Sequence, residues 1–129
     1  MSKANILVVD DQESIRHFVS KALGDEGYAV QTTGSLREAR EALEHEVPDL
    51  GIFDLKLPDG SGIDLLREVK RAHGELPVIL MTAFGDDATR SRAESMGALL
   101  FDKPFELDDL RTAVVNLLNV EKNPEGAGA

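Results

Sequence analysis

Five short apolar runs alternate with helix-like segments along the chain, and this alternation limits the fold more than any other feature. The apolar runs cover residues 6–9, 28–33, 50–54, 77–81 and 98–101. Four of them are nearly continuous in apolar residues, which is typical of strands that are buried on both faces. The segments between them repeat their apolar residues at helical spacing. We therefore predict an α/β protein with a parallel sheet and helices on both faces.

The second apolar run differs from the others, and the difference predicts the order of the strands. It mixes Ala29 and Val30 with the polar residues 31–33, so we place it at an edge of the sheet. Crossovers between parallel strands are right-handed, which leaves few topologies. The sequence thus predicts a doubly wound, five-stranded parallel sheet of the flavodoxin-like order 2-1-3-4-5.

Composition excludes several classes of function. The chain has 129 residues, which suits one domain, and a formal net charge of −10. That charge repels phosphate backbones and anionic lipids, so we expect no direct binding to nucleic acid or membranes. The absence of cysteine excludes disulfides, thiolate catalysis and Cys-ligated metals. The apolar run at residues 6–9 is too short for a signal peptide or a membrane span, so the default expectation is a cytoplasmic protein.

The end of the chain has a different character from the rest. Residues 121–129 contain Pro124, Gly126 and Gly128 and show no apolar periodicity. Such a composition is typical of a linker or a disordered segment. We expect one domain over residues 1–120, followed by a linker stub or disordered tail.

Polar side chains follow four of the five predicted strands. Asp10 and Asp11 end the first strand, and Asp54 ends the third. Thr82 ends the fourth strand, and Lys103 follows the fifth. In parallel α/β sheets, ligands bind at the carboxyl ends of the strands, near the point where the strand order reverses. We therefore expect these five side chains to face one crevice.

These residue types predict a particular chemistry. Three carboxylates that lie within a few ångströms repel one another, and a cation must neutralise them. A pocket of oxygen ligands without His or Cys favours Mg²⁺ over Ca²⁺ or Mn²⁺, and Mg²⁺ readily takes phosphate oxygens as further ligands. Lys103 adds a positive charge and Thr82 a hydroxyl donor. The pattern predicts a site that stabilises a phosphoryl group beside a carboxylate that can receive it.

From residue 3 to about residue 120, the chain resembles the receiver domain of two-component response regulators. The resemblance rests on four motifs that are highly specific together, namely Asp10-Asp11, the loop Asp54-x-x-x-Pro58-x-x-x-Gly62, the pair Thr82-Ala83, and Phe101-x-Lys103-Pro104. Residues 81–86 and 103–105 are most similar to the receivers of nitrogen-regulator-type enhancer-binding transcription activators.

The resemblance implies a role for each residue of the acidic pocket. Asp54 is implied to be the phosphoacceptor. Asp10 and Asp11 are implied to hold Mg²⁺ together with Asp54 and the backbone carbonyl of Lys56. The family takes its phosphoryl group from a phosphohistidine of a sensor histidine kinase. The implied function is therefore a signalling phosphoacceptor that catalyses only its own phosphorylation and dephosphorylation, rather than an enzyme.

The resemblance also implies how the signal leaves the site. Thr82 and Lys103 are implied to bind phosphoryl oxygens, and Phe101 is the implied aromatic switch residue. We expect the face formed by the fourth helix, fifth strand and fifth helix to switch, because the fourth helix has the thinnest apolar stripe. The implied outputs are a homodimer on phosphorylation and a C-terminal effector domain in transcription regulation. Lys103 must reach back into the pocket while the chain turns out, so we expect a cis Lys103–Pro104 bond, which the resemblance also favours.

Two positions depart from the commonest residues of the family. Gly51 interrupts an aliphatic run, which weakens the strand or permits close packing there. Lys56 places a long cation beside the pocket, while its carbonyl still suits a metal. The Lys56 side chain could therefore change the lifetime of a phosphoryl group on Asp54.

Two other classes of protein are alternatives to this interpretation. Haloacid-dehalogenase-like phosphatases also pair an Asp nucleophile with Mg²⁺, but they carry it in an Asp-x-Asp motif after the first strand. Here the first strand ends in adjacent acids, Asp10 and Asp11, and multiple turnover on phosphomonoesters would identify such an enzyme. A flavin-binding protein needs a glycine-rich phosphate loop after the first strand, where Asp10, Asp11 and Glu13 would repel the phosphate. We exclude that class.

Overall fold

The computed structural model describes residues 4–83 and 86–122, without the side chains of residues 120–122. Within this part, the strands of the main sheet are β1 (Asn5–Val9), β2 (Ala29–Thr33), β3 (Leu50–Asp54), β4 (Val78–Thr82) and β5 (Leu99–Asp102). The helices are α1 (Glu13–Asp25), α2 (Leu36–His45), α3 (Gly62–Ala72), α4 (Asp87–Ser95) and α5 (Leu107–Lys122). The short strands Lys56–Leu57 and Gly60–Ser61 form a separate antiparallel hairpin, here called the β3–α3 hairpin.

The main sheet has the order β2-β1-β3-β4-β5, and all of its pairs are parallel. This confirms the predicted doubly wound, flavodoxin-like order. β2 lies at an edge, and its Gln31 and Thr32 are exposed there, as its mixed composition predicted. The reversal of strand order falls between β1 and β3, which pair along residues 6–9 and 50–53. The carboxyl ends of these two strands are therefore neighbours at the point where ligands bind in such sheets.

Both faces of the sheet are covered by helices, and β1 shows how its sequence achieves this. Leu7 and Val9 pack in the apolar cluster that α2 and α3 share. Ile6 and Val8 point to the opposite face, into the cluster that contains residues of α1 and α5. All four side chains are almost completely buried. A strand with two buried faces must be apolar throughout, which explains why these runs are continuous rather than alternating.

Gly51 lies in the middle of β3, where it admits the ring of Phe53. A Cβ atom at Gly51 would lie 2.7 Å from two ring carbons of Phe53. The Phe53 ring is fully buried. Of the two expectations for Gly51, the structure thus supports close packing.

The last two helices frame the predicted switching face. Ala93 is the buried residue of α4, so the thin apolar stripe predicted for this helix is confirmed. α5 buries Leu110, Val114 and Leu118, and it runs to Lys122, past the domain end predicted at residue 120. The rest of the predicted tail, residues 123–129, lies outside the described part of the chain. Among the described residues, no helix combines the length and the apolar character that crossing a membrane requires.

Candidate functional site

The polar residues that the sequence placed at strand ends meet in one cavity. Asp54 and Thr82 are the last residues of β3 and β4, and Lys103 directly follows β5. Together with Asp11, these three side chains line a cavity of about 550 Å³ at the carboxyl edge of the sheet. Asp10 lies beside this cavity and is fully buried. The convergence expected from the strand order is therefore present in the structure.

Three carboxylates form the acidic part of the site. Asp10, Asp11 and Asp54 each offer an oxygen atom, and these oxygens lie within 4.8 Å of one another. Asp10 and Asp54 are buried, whereas Asp11 is exposed at the rim. The donors are all oxygen atoms and together carry up to three negative charges, which is the ligand set that hard divalent cations prefer. The residues present therefore fit a metal ion of this class.

The surroundings of Asp54 disfavour the charged form of its carboxyl group. Burial, followed by the neighbouring charge of Asp10, raises the pKa of the Asp54 carboxyl above its usual range. Lys103 acts in the opposite direction through its charge and a hydrogen bond, and Asp11 adds a smaller upward contribution. Without a cation, the protein thus disfavours ionisation of Asp54. A bound cation would reverse that preference.

Lys103 places a positive charge inside the acidic cluster. Its Nζ atom lies 2.9 Å from Oδ2 of Asp10 and 3.4 Å from Oδ1 of Asp54. Its backbone N–H donates to the carbonyl oxygen of Thr82 at 2.7 Å, which fixes the chain beside the end of β4. The peptide bond between Lys103 and Pro104 is cis, which confirms that prediction.

Two residues that the sequence analysis did not single out hold Asp10 in place. The backbone N–H of Gln12 donates to Oδ1 of Asp10 at 2.8 Å. Arg16, one turn into α1, donates from Nη1 to the backbone carbonyl of Asp10 at 2.7 Å. The N–H of Asp10 in turn donates to the carbonyl of Thr33 at 3.0 Å. Neither Gln12 nor Arg16 carries a sequence signal beyond its closeness to the acid pair.

The loop after Asp54 is held against the end of β3 by a glycine. The Gly62 N–H donates to the Leu55 carbonyl at 2.7 Å. A Cβ atom at Gly62 would lie 2.2 Å from the backbone carbonyl oxygen of Asp54, so no larger residue fits without a backbone shift. Lys56, in the same loop, lines the cavity, and its side chain is exposed.

Thr82 and Phe101 lie on neighbouring strands next to the cavity. Thr82 is buried at the end of β4. Phe101 pairs with Met81 across β4 and β5 and is half-buried. Its ring meets that of Phe105 edge to face, with 5.9 Å between the centroids. The aromatic side chain is therefore one strand away from the phosphate-binding candidate Thr82.

Comparison with known proteins agrees with this geometry. The family model for the response regulator receiver domain matches residues 6–115. The response regulator protein PilR of Pseudomonas aeruginosa is 38% identical over 130 residues, an alignment that covers all of this chain but 29% of PilR. The sporulation initiation phosphotransferase F of Bacillus subtilis is 35% identical over 124 residues, covering 95% of this chain and all of that protein. The chain thus spans under a third of the first relative and the full length of the second.

A solved structure shows the same fold. The CheY-like response regulator receiver domain protein from Methanospirillum hungatei superposes with a TM-score of 0.91 at 27% identity, covering 95% of this chain and 99% of that chain. Other matched regulators carry the names NtrC and NtrX, which supports the predicted similarity to nitrogen-regulator-type activators. The phosphatase alternative is not favoured by these matches. The matched residues extend from β1 into α5 and include the whole acidic cavity, and the chain belongs to the response regulator receiver domain family.

Proposed function

We propose that Asp54 accepts a phosphoryl group from a phosphohistidine of a sensor histidine kinase. The observation that carries this proposal is the cavity itself, where the Asp54 carboxylate stands at the end of β3 beside two further carboxylates and the Lys103 ammonium. A carboxylate oxygen of Asp54 would attack the phosphorus atom. An O–P bond forms as the donor's N–P bond breaks, and the bonding electron pair stays on the imidazole nitrogen.

The contacts of the three acids favour Asp54 as the acceptor. Asp10 is fully buried, and its two carboxylate oxygens already accept hydrogen bonds from the Gln12 N–H and from Lys103 Nζ. Asp11 lies exposed at the rim rather than at the end of a central strand. Asp54 lines the cavity from the middle of the sheet, where its pairing with Met81 and the hydrogen bond from the Leu55 N–H to the Met81 carbonyl hold its backbone.

We propose that the metal is Mg²⁺ and that four groups hold it, namely the carboxylates of Asp10, Asp11 and Asp54 and the backbone carbonyl of Lys56. When bound, Mg²⁺ supplies positive charge that neutralises both the carboxylates and the phosphoryl oxygens. Lys103 and the Thr82 hydroxyl would donate to the remaining phosphoryl oxygens. The closeness of the three acids supports this proposal.

The switching face is proposed to lie on α4, β5 and α5. When Thr82 moves to bond the phosphoryl group, it leaves space into which Phe101 can turn. α4 is held weakly, with Ala93 buried and with the Arg90 guanidinium 2.9 Å from the Asp102 carboxylate at the end of β5. An ion pair that is partly exposed contributes little stability, so this helix is suited to shift.

We also propose how this domain fits into a longer protein. Residues 1–120 would form the receiver unit, and a linker would connect it to an effector domain that regulates transcription. The protein would be cytoplasmic and would form a homodimer on phosphorylation. The unit itself would bind neither nucleic acid nor membranes, because the chain is strongly acidic, with a net charge of −10 over its 129 residues. It would catalyse only its own phosphorylation and dephosphorylation.

The acceptor assignment is tested with a small phosphodonor. The protein is incubated with Mg²⁺ and acetyl phosphate, and the intact mass is measured over time. The wild type should gain one phosphoryl group, Asp54→Asn should gain none, and the exposed control Asp64→Asn should behave as the wild type. An Asp54→Asn variant phosphorylated at the wild-type rate would contradict the assignment.

The phosphatase alternative is tested by measuring turnover of a phosphomonoester. With Mg²⁺ and an excess of a phosphomonoester such as p-nitrophenyl phosphate, an enzyme releases many product molecules per protein chain. We expect no such multiple turnover. Sustained release that disappears in Asp54→Asn would support the enzyme instead.

A further inference from the structure

We infer that Asp59 is a positioning residue, which fixes the β3–α3 hairpin to the start of α2 and thereby holds the Lys56 carbonyl at the cavity. The inference rests on the proposed function in that it concerns the same metal site. It adds a residue outside the cavity whose contact with α2 no sequence motif indicates.

The contact of Asp59 with α2 is made by both carboxylate oxygens. The backbone N–H of Leu36 donates to Oδ1 at 2.8 Å, and the N–H of Arg37 donates to Oδ2 at 3.0 Å. These are the first two amides of α2, which have no partner inside the helix. The charge also lies at the positive end of the helix dipole. These two hydrogen bonds hold the pKa of the Asp59 carboxyl below its usual range.

The remaining amides of the first turn of α2 are satisfied without the hairpin. The Ser35 side chain accepts from the Glu38 N–H at 3.1 Å, and the Ser35 carbonyl accepts from the Ala39 N–H at 3.0 Å. α2 therefore has an N-cap of its own in Ser35. Asp59 adds a second cap, which comes from a loop 22 to 23 residues further along the chain. The two caps offer a matched pair of variants, since of the two capping side chains only that of Asp59 belongs to the hairpin.

Asp59 occupies the tip of the hairpin. Lys56 pairs with Ser61, and Leu57 pairs with Gly60, so Pro58 and Asp59 form the turn between the two short strands. A hairpin of two residue pairs has little stability of its own. Its position must therefore come from contacts with the rest of the domain.

Apart from the buried side chain of Leu57, which packs in the apolar cluster that α2 and α3 share, the hairpin is attached to the domain at its base and at its tip. At the base, Gly62 lies against the backbone of Asp54, which leaves no space for a Cβ atom. At the tip, Asp59 binds α2, and a Cβ atom at Gly60 would lie 2.5 Å from Cδ1 of Leu36. Lys56 lies between these two attachments. Loss of the tip attachment would loosen the hairpin and shift Lys56, which lines the cavity and whose carbonyl is the proposed fourth metal ligand.

The test compares Asp59→Ala with the matched control Ser35→Ala by calorimetric titration with Mg²⁺. Each variant removes side-chain capping from the same helix end, but only the first releases the hairpin. Removing a group that orients a metal ligand typically costs about 10-fold or more in affinity. We expect a loss of about 10-fold for Asp59→Ala and none for Ser35→Ala. Asp59→Asn, which keeps one acceptor oxygen, should recover part of the loss, and it serves as the main variant if Asp59→Ala does not fold.

Two outcomes overturn the inference. Equal losses of Mg²⁺ affinity in both variants would mean that α2 stability alone matters, and wild-type affinity in both would mean that the hairpin needs no tip attachment. The proposed function fails separately, if the wild type binds Mg²⁺ but takes no phosphoryl group from acetyl phosphate. In that case the comparison of Mg²⁺ affinities still decides the role of Asp59.

Discussion

The Nζ atom of Lys103 lies 2.9 Å from Oδ2 of Asp10, although 93 residues separate the two in the chain. The contact joins the ends of β1 and β5 across the carboxyl edge of the sheet. The Asp10 side chain is fully buried, and 14% of the Lys103 side chain is exposed. A buried charge needs a partner, so each of these residues compensates for the burial of the other. The same ammonium lies 3.4 Å from Asp54 and therefore shares the site proposed for a metal and a phosphoryl group.

Replacing Lys103 should change metal binding and phosphorylation in opposite directions. Lys103→Met removes a cation that competes with Mg²⁺ for the carboxylates, so Mg²⁺ affinity should rise severalfold in calorimetry. Phosphoryl uptake from acetyl phosphate should fall, because the transferring group loses a charged donor. Lys56→Met removes the same charge from an exposed side chain at the rim and should have smaller effects. Unchanged Mg²⁺ affinity in Lys103→Met would show that the ammonium and the metal do not compete.

The stability of the metal-free protein should depend on pH through Asp54. Burial and the Asp10 charge raise the pKa of this carboxyl, so the folded state binds its proton more tightly than the unfolded state does. Stability therefore falls as pH rises from the unfolded pKa through the folded pKa, and it stays reduced at neutral pH. Asp54→Asn, which has no charge, should melt a few degrees higher at neutral pH in the presence of EDTA. The difference should shrink toward about pH 4. A difference that is the same at both pH values would exclude this explanation.

Gly62 should tolerate no side chain. Gly62→Ala places a Cβ atom against the Asp54 carbonyl, 2.2 Å away, and should destabilise the domain by about 1–3 kcal/mol in urea unfolding. Phosphoryl uptake should slow as well, because the backbone of Asp54 must move. The control is Gly24→Ala in α1, where the added Cβ would have no atom within 4 Å apart from the adjacent residues and backbone of its own helix. That substitution should stabilise the protein by up to about 1 kcal/mol. Equal stability of the two variants would argue against the close approach.

Activation should alter amide exchange on the face of α4, β5 and α5. Beryllofluoride, a mimic of the phosphoryl group, is added with Mg²⁺. Outside the cavity, the largest changes in amide hydrogen exchange should fall between residues 86 and 111. Arg90→Gln removes the ion pair with Asp102, which is worth about 0.5 kcal/mol when partly exposed, so α4 should exchange about twofold faster without any activator. If the largest changes in amide exchange fell on α1 and α2 instead, the proposed switching face would be wrong.

The fold and the main residues of the site could be predicted because each depends on a local sequence pattern. Continuous apolar runs mark strands with two buried faces, and the polar residue that ends each run marks the carboxyl edge of the sheet. The positions of Asp54 and Thr82 at this edge follow from the sequence in this way, without knowledge of any contact. The edge position of β2 followed from its polar residues, since an edge strand meets water. These predictions need only the alternation of strands with helices along the chain and the common direction of the strands.

The contacts that hold these elements in place have no comparable signal in the sequence. From the sequence, Asp59 is an ordinary turn residue, and Asp102 belongs to the segment that follows the fifth apolar run. Their partners, the first amides of α2 and the guanidinium of Arg90, lie on other elements. Arg16 likewise belongs to the pattern of an amphipathic helix, although it holds the backbone of Asp10.

The sequence by itself therefore determined the class of fold, the strand order and the set of acids, threonine and lysine at the sheet edge, because these depend on local patterns and on the direction of parallel strands. The tertiary structure alone decided which groups hold that set in place. Hydrogen bonds of this kind depend on directions and distances of a few ångströms between separate elements. Only the packing of the helices on the sheet fixes those distances, as it does between Asp59 and α2.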